Sequence, residues 1–110
     1  MADRRKERIA YNESAFRDLN ESLERAVHRG RTQSENAGFV CECGEPDCEE
    51  LIRVDLGTYE SIRRDSRLFI AVRGHELPDA EDVVDGDGNY VVLRKHDEVA
   101  DIVDETDPRT

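Results

Sequence analysis

The chain has 110 residues, the size of one small domain with extensions, and 39% of them are charged, compared with about 25% in ordinary globular proteins. Its formal net charge of −11 at pH 7 repels phosphate backbones and anionic membranes, which argues against nonspecific nucleic-acid binding. No stretch approaches the roughly 18 apolar residues of a membrane span, and no apolar segment of a secretory signal follows the N-terminus. We therefore expect a cytoplasmic protein whose modest core needs a further stabilising element.

Residues 1–30 are predicted to form a helical arm, with the helix itself over residues 3–29. Apolar residues recur along it at the spacing of a narrow seam. The seam residues, which are the candidate interaction residues, are Ile9, Phe16, Leu19 and Leu23. Two interpretations remain open, because such a seam can pack on the chain's own core or dock on a protein partner or a second copy of the chain. The polar segment over residues 31–37 is predicted to be a linker that lets the helix reach outward.

Residues 38–103 are predicted to form an α+β domain built on a small antiparallel sheet, and residues 104–110 are expected to be a disordered tail. Charge supports this division, because residues 1–34 carry a formal charge of +2 and residues 35–110 carry −13. The first predicted elements of this domain are a half-buried strand over residues 51–56 and a short helix that is capped by Thr58 and ends near residue 65, with Tyr59 and Ile62 facing inward. A strand over residues 67–72, a hairpin over residues 83–94 and one or two helical turns over residues 97–104 are predicted to follow.

All three cysteines of the chain lie in one stretch, in which Cys41, Cys43 and Cys48 are spaced as C-x-C-x4-C. An odd number of cysteines so close together fits reduced thiols and a metal better than a disulfide framework. Gly44 directly follows the second cysteine, and we expect it to adopt a positive φ so that backbone amides of the loop can turn towards the sulfurs. The spacing therefore predicts that the three cysteines bind one metal ion, with zinc as the expected metal.

Zinc prefers four tetrahedral ligands drawn from Cys and His, so one further ligand is needed. His75 is the best candidate, because it follows Gly74 in a turn at the end of a predicted strand, from which it can return to the cysteines. His96 follows the last predicted strand and is a second choice, and His28 belongs to the N-terminal helix. Three thiolates and one distant histidine are typical of a closed structural site.

Two resemblances bear on this site. The cysteine stretch C-E-C-G-E-P-D-C resembles the post-SET zinc motif of protein lysine methyltransferases over eight residues, which implies only that the three cysteines can ligate one zinc ion. The order of motifs along most of the chain is also similar to that of small uncharacterised proteins associated with actinobacteria, and this similarity implies that Gly74 and His75 belong to the metal site. The matching segments are residues 12–21, 39–48, 59–63, 74–76 and 83–92.

These features favour a non-catalytic, zinc-binding module for protein interaction or regulation. A zinc–thiolate redox sensor is one alternative, and it needs exposed thiolates that an oxidant can reach. A metal-dependent hydrolase is a second alternative, and it needs an open coordination position on the metal. No motif of a nucleophilic enzyme is present, so nothing in the sequence argues for covalent catalysis.

Overall fold

A computed structural model describes residues 4–26 and 35–109, which form an α+β fold and confirm the predicted class. Its elements are helix α1 (Arg4–Ala26), strands β1 (Asn36–Val40) and β2 (Leu51–Asp55), helix α2 (Leu56–Arg63), strands β3 (Leu68–Val72), β4 (Glu81–Gly86) and β5 (Tyr90–Lys95), a 3₁₀ turn (Asp97–Val99) and helix α3 (Ala100–Glu105). The predictions for His28, for residues 29–30 and for most of the linker fall outside the described residues. No helix in the described part of the chain is both long and apolar enough to cross a membrane.

Two antiparallel sheets make up the β structure. β1 and β2 form a two-stranded sheet, and the other three strands form a sheet in the order β3-β5-β4, with a register shift in β4 between Val83 and Asp85. The predicted strand at residues 51–56 and the predicted hairpin are confirmed. β1 is a difference from the sequence analysis, since Asn36 and Ala37 were assigned to the linker but pair with β2.

The N-terminus of α2 differs from the prediction. Asp55, not Thr58, is the N-cap: its carboxylate accepts a hydrogen bond from the Thr58 backbone N–H at 2.9 Å and one from the Thr58 hydroxyl at 2.7 Å. A carboxylate is as good a cap as a hydroxyl, and it lets the helix begin earlier. Tyr59 and Ile62 face inward as predicted, and the Tyr59 ring stacks on Phe39 with ring centroids 4.1 Å apart.

The loop between β1 and β2, residues 41–48, is called the cysteine loop below. Its start runs along the outer edge of β3, where the Glu42 N–H donates to the Ile70 carbonyl at 2.7 Å and the Ile70 N–H donates to the Glu42 carboxylate at 3.0 Å. The fully buried Glu42 carboxylate also accepts hydrogen bonds from Asn20 and from the Tyr59 hydroxyl, each at 2.8 Å. The cysteine loop therefore joins the two sheets.

Helix α1 packs on the chain's own domain, which is the first of the two interpretations left open above. The Asn20 side chain exchanges two hydrogen bonds with the Val40 backbone, at 2.8 and 2.7 Å. The fully buried Arg17 donates to the Val103 carbonyl at 2.8 Å, and its guanidinium lies 4.4 Å from the centroid of the Phe69 ring. Polar side chains, rather than the apolar seam alone, thus fix the inner face of α1.

A buried ion-pair cluster also connects α1 to the second sheet. The Lys95 ammonium at the end of β5 lies 2.7 Å from the Glu13 carboxylate of α1 and 3.0 Å from the Glu81 carboxylate of β4, and all three side chains are fully buried. Burial raises the pKa of Glu13 well above its usual value, and the neighbouring Glu81 carboxylate adds to the effect. One lysine and two carboxylates are therefore kept out of water at this junction, and burial there favours the protonated form of Glu13.

The C-terminal residues are placed differently from the disordered tail that was expected. Asp107 is buried and accepts a hydrogen bond from Arg63 of α2. Arg109 forms a two-pronged ion pair with Glu60, at 2.8 and 2.9 Å, and also donates to Glu21 of α1 at 2.8 Å. Six side chains form this C-terminal ion-pair network: Glu21, Glu24, Glu60, Arg63, Asp107 and Arg109. The sequence contains no apolar signal for this contact, because charged side chains supply most of it and the Thr106 hydroxyl adds a hydrogen bond to Ser14.

Candidate metal centre

The four predicted ligands come together at one place in the fold. The cysteine loop supplies three sulfurs, and the turn after β3 supplies the His75 ring. The four candidate ligand atoms all lie within 4.8 Å of one another. Within residues 4–26 and 35–109, this is the one group of three or more Cys, His, Asp or Glu side chains with such spacing. The cluster can therefore bind a metal ion.

The distances fit a tetrahedral centre. The Nδ1 atom of His75 lies 3.6 Å from the Cys41 sulfur and 3.7 Å from the Cys48 sulfur. Zinc bonds of about 2.3 Å to sulfur and about 2.0–2.1 Å to nitrogen, at tetrahedral angles, place the two ligand atoms about 3.6 Å apart. The donor set thus has both the chemistry and the size that a metal such as zinc requires, with Nδ1 as the histidine donor.

Backbone amides point at the sulfurs, as the sequence analysis predicted for this loop. Each sulfur accepts one such hydrogen bond: Cys41 from the Val72 N–H at 3.2 Å, Cys43 from Glu45 and Cys48 from Glu50. Two of the donors lie two residues after the cysteine they contact, so the local turns of the loop create them. These N–H groups favour the thiolate form of the cysteines, which is the form that binds metal.

The three thiols interact strongly with one another. The pKa of Cys43 is lowered to about 5, chiefly because the Cys41 thiol donates a hydrogen bond to its sulfur, whereas the same bond and burial raise the pKa of Cys41. Burial is also the main reason why the pKa of Cys48 is raised. The pKa is thus lowered for one of the three thiols and raised for the other two, and a bound divalent cation would favour ionisation of all three.

Gly44 has a different role from the one expected. Its φ is not positive; among the described residues, Gly74 is the glycine with positive φ, at 98°. A Cβ atom at Gly44 would lie 2.7 Å from the Ile9 Cγ2 atom and 3.0 Å from the Leu77 Cδ1 atom. Gly44 is thus required by the close approach of α1 to the cysteine loop, and Gly74 supplies the left-handed turn that leads into His75.

Helix α1 also forms a hydrogen bond with the cysteine loop. The Asn12 side-chain amide donates to the Gly44 carbonyl at 3.1 Å. Asn12 lies between Ile9 and Phe16 in the apolar seam and interrupts it. The sequence analysis did not select Asn12 as a site residue, nor Asn20 and Glu42, which hold the start of the loop. A polar residue at a seam position was the one signal available, because its partner is a backbone carbonyl that no sequence pattern reveals.

The other candidate residues lie apart from this centre. The His96 ring is 3.3 Å from the Asp82 carboxylate and does not belong to the cluster, and His28 is outside the described residues. Of the four candidate interaction residues, Ile9 is buried, Phe16 and Leu23 are half-buried, and Leu19 is 45% exposed. Tyr11, which the sequence analysis did not select, is 55% exposed on the same helix.

Comparison with known proteins gives no match: no protein-family model, no curated protein and no solved structure is significantly similar to the chain. The two resemblances given above thus stay expectations. What the site can do is argued below from its own geometry.

Proposed function

We propose that Cys41, Cys43, Cys48 and His75 hold one zinc ion in a closed structural site. The observation that carries this proposal is the spacing of 3.6–3.7 Å between the His75 Nδ1 atom and two of the sulfurs, which matches tetrahedral zinc. Four protein donors complete the coordination of zinc, and this supports a structural role rather than the open position that a hydrolase needs.

The position of the centre supports a stabilising role. The cysteine loop continues the β1–β2 sheet, whereas His75 follows β3 of the other sheet. A metal ion at this point would cross-link the two sheets of a domain whose core is small. The free energy of metal binding would then contribute directly to the free energy of folding.

The module as a whole is proposed to act non-catalytically, through protein interaction at α1. The inner face of α1 packs on the chain's own domain, but the large apolar side chains of Tyr11 and Leu19 are exposed on its outer face. The rest of the chain is strongly acidic, whereas α1 is nearly neutral, so α1 is the surface on which a protein can dock with the least charge repulsion.

Metal analysis tests the centre. Protein purified without added zinc is expected to contain one zinc ion per chain, and cobalt substitution should give the absorption bands of a tetrahedral site with three thiolates. His75→Ala should weaken metal binding by more than about a hundredfold, because even the loss of a residue that supports a ligand costs 10–100-fold. His96→Ala is the matched control and should leave metal binding unchanged. Equal effects of the two substitutions would contradict the ligand assignment.

One observation favours a second candidate, a zinc–thiolate redox sensor. Cys48 is partly exposed, whereas Cys41 and Cys43 are each only 1% exposed. Peroxide could oxidise the Cys48 thiol and a neighbouring thiol to a disulfide, and the two electrons would reduce the peroxide to two molecules of water. Release of zinc at peroxide concentrations that leave an isolated thiol largely reduced would support the sensor, and retention of zinc would support the purely structural centre.

A further inference from the structure

We propose that the partner of α1 is a second copy of this chain, and that the two α1 helices pack antiparallel through a ridge formed by Tyr11, Ala15 and Leu19. This inference names the partner within the proposed function and rests on it. Each residue of the ridge follows the previous one by four positions, so the three side chains form one continuous row on the helix surface. All three are exposed.

The row is complementary to itself. A two-fold axis at Ala15 places residues that are equally far from it opposite each other, so Tyr11 of one chain faces Leu19 of the second copy, and the reverse contact forms at the same time. Ala15, the smallest of the three, lies at the crossing point, where two backbones must approach closely. Rows of this four-residue spacing interdigitate in the commonest class of helix packing in globular proteins.

The distribution of charge also favours α1 as the surface through which two copies meet. Residues 4–26 carry six basic and five acidic side chains, a formal charge of +1, which leaves −12 for the rest of the chain. Because the rest of the chain carries this negative charge, two copies that met through it would on average bring like charges together. Contact through α1 avoids this repulsion.

The distribution of charge along α1 favours the antiparallel arrangement. Arg4 and Arg8 are exposed in its first half, whereas Asp18 is exposed in its second half and Arg25 lies near the Glu21 carboxylate. An antiparallel pair brings the basic first half of one helix to the second half of the other, and it also opposes the two helix dipoles. A single pair of helices buries an area at the low end of specific interfaces, so we expect a dimer of micromolar affinity.

Sedimentation velocity of the full chain over a range of concentrations tests the surface. The wild type is expected to show a concentration-dependent equilibrium between monomer and dimer. Leu19→Glu should raise the dimer dissociation constant by at least about tenfold, as is typical when a central apolar anchor is lost. Leu51→Glu is the matched control, because Leu51 is 68% exposed on β2 and the substitution makes the same change in charge. A monomeric wild type, or equal effects of the two substitutions, would overturn the inference.

Cross-linking tests the arrangement. In the antiparallel pair, Ala15→Cys places the two introduced thiols close together, whereas Ser22→Cys places them about 21 Å apart along the axis, given 1.5 Å of rise per residue. A short bismaleimide should therefore link the first variant and not the second, with wild type as the background for the native thiols. Equal linking of both variants would indicate a parallel pair and overturn the geometry.

Zinc content is measured on every variant, so that failure of the dimer and failure of the metal centre are distinguished. Loss of the dimer in Leu19→Glu with zinc retained supports both proposals. A zinc-free protein that still dimerises through Leu19 would support the helix pair and contradict the metal centre.

Discussion

In its first half, around residues 9–12, α1 contacts the cysteine loop through packing and one hydrogen bond, whereas the end of its second half, from Glu21 onward, is held by the C-terminal ion-pair network. Between these two regions, Glu13 pairs with Lys95 and Asn20 donates to Glu42. In the first half, Ile9 packs against Gly44 and Asn12 donates to the Gly44 carbonyl. In the second half, Glu21 accepts a hydrogen bond from Arg63 at 2.6 Å, and the side chains of both are almost fully buried. The same helix is thus attached to its domain by two unrelated kinds of contact.

Because of this difference, the contacts of the two halves should respond to different solution conditions. The contacts of the first half depend on the shape of the cysteine loop, and metal binding would set that shape. The C-terminal ion-pair network depends on charges that are taken out of water, so the protonation of its carboxylates matters there. We therefore expect the two halves of α1 to loosen separately.

The largest effect is expected from Arg63→Ala. Its side chain is fully buried between Glu21 and Asp107, so the substitution leaves the buried Asp107 carboxylate without its cation and leaves Glu21 without one of its two close arginine partners. Removal of one partner from a buried ion pair costs about 3–5 kcal/mol, and urea unfolding should show a loss of this size. Arg64→Ala, at an exposed neighbouring position, is the control and should change stability by less than about 0.5 kcal/mol. Loss of bound zinc from folded Arg63→Ala would contradict the independence of the two halves.

A smaller effect is expected from Gly44→Ala in the cysteine loop. The added methyl group would meet Ile9 at 2.7 Å, and such overpacking costs about 1–3 kcal/mol. The first half of α1 should loosen as a result, which faster hydrogen exchange at its amides would reveal. Gly38→Ala is the matched control, because a Cβ atom there has no neighbour within 4 Å. Similar exchange in the two variants would show that α1 does not depend on this contact.

The effect of pH should separate the buried carboxylates of α1 from the metal centre in sign. Burial next to Glu60 raises the pKa of Glu24, in the second half of α1, to about 8. The folded state then keeps a proton that the unfolded state has already lost, so this residue makes stability fall as the pH rises from about 4.5 to 8. Glu24→Gln should flatten that fall in a series of urea unfolding curves. Metal binding has the opposite sign, because the thiols must lose protons. An unchanged pH dependence in Glu24→Gln would reject the assignment.

The smallest effect is expected from Asn12→Ala, which removes one hydrogen bond to the Gly44 carbonyl. A net loss of about 0.5–1.5 kcal/mol is typical of such a bond. Thermal or urea unfolding measures it. No loss of stability would mean that water replaces Asn12 fully at this carbonyl.

The sequence predicted the metal centre better than it predicted the attachment of α1. The spacing of the cysteines and the position of His75 at a strand end are local patterns, and they pointed to the four side chains that the fold brings together. Arg17, Asn20 and Glu42 are fully buried, but nothing local distinguishes them from solvent-exposed polar residues, because their partners come from distant parts of the chain. The role of the C-terminal residues was missed for the same reason, since Asp107 is ordered by an arginine 44 positions away.

Hydrogen exchange with and without zinc tests the central claim most directly, namely that the centre of three cysteines and His75 binds the metal and positions the first half of α1. The measurement follows the α1 amides of the full chain before and after the metal is removed by a chelator. The account predicts that amides in the cysteine loop and around residues 9–12 lose protection, whereas those around residues 21–25 keep it. No change on chelation, or an equal loss along the whole of α1, would contradict it.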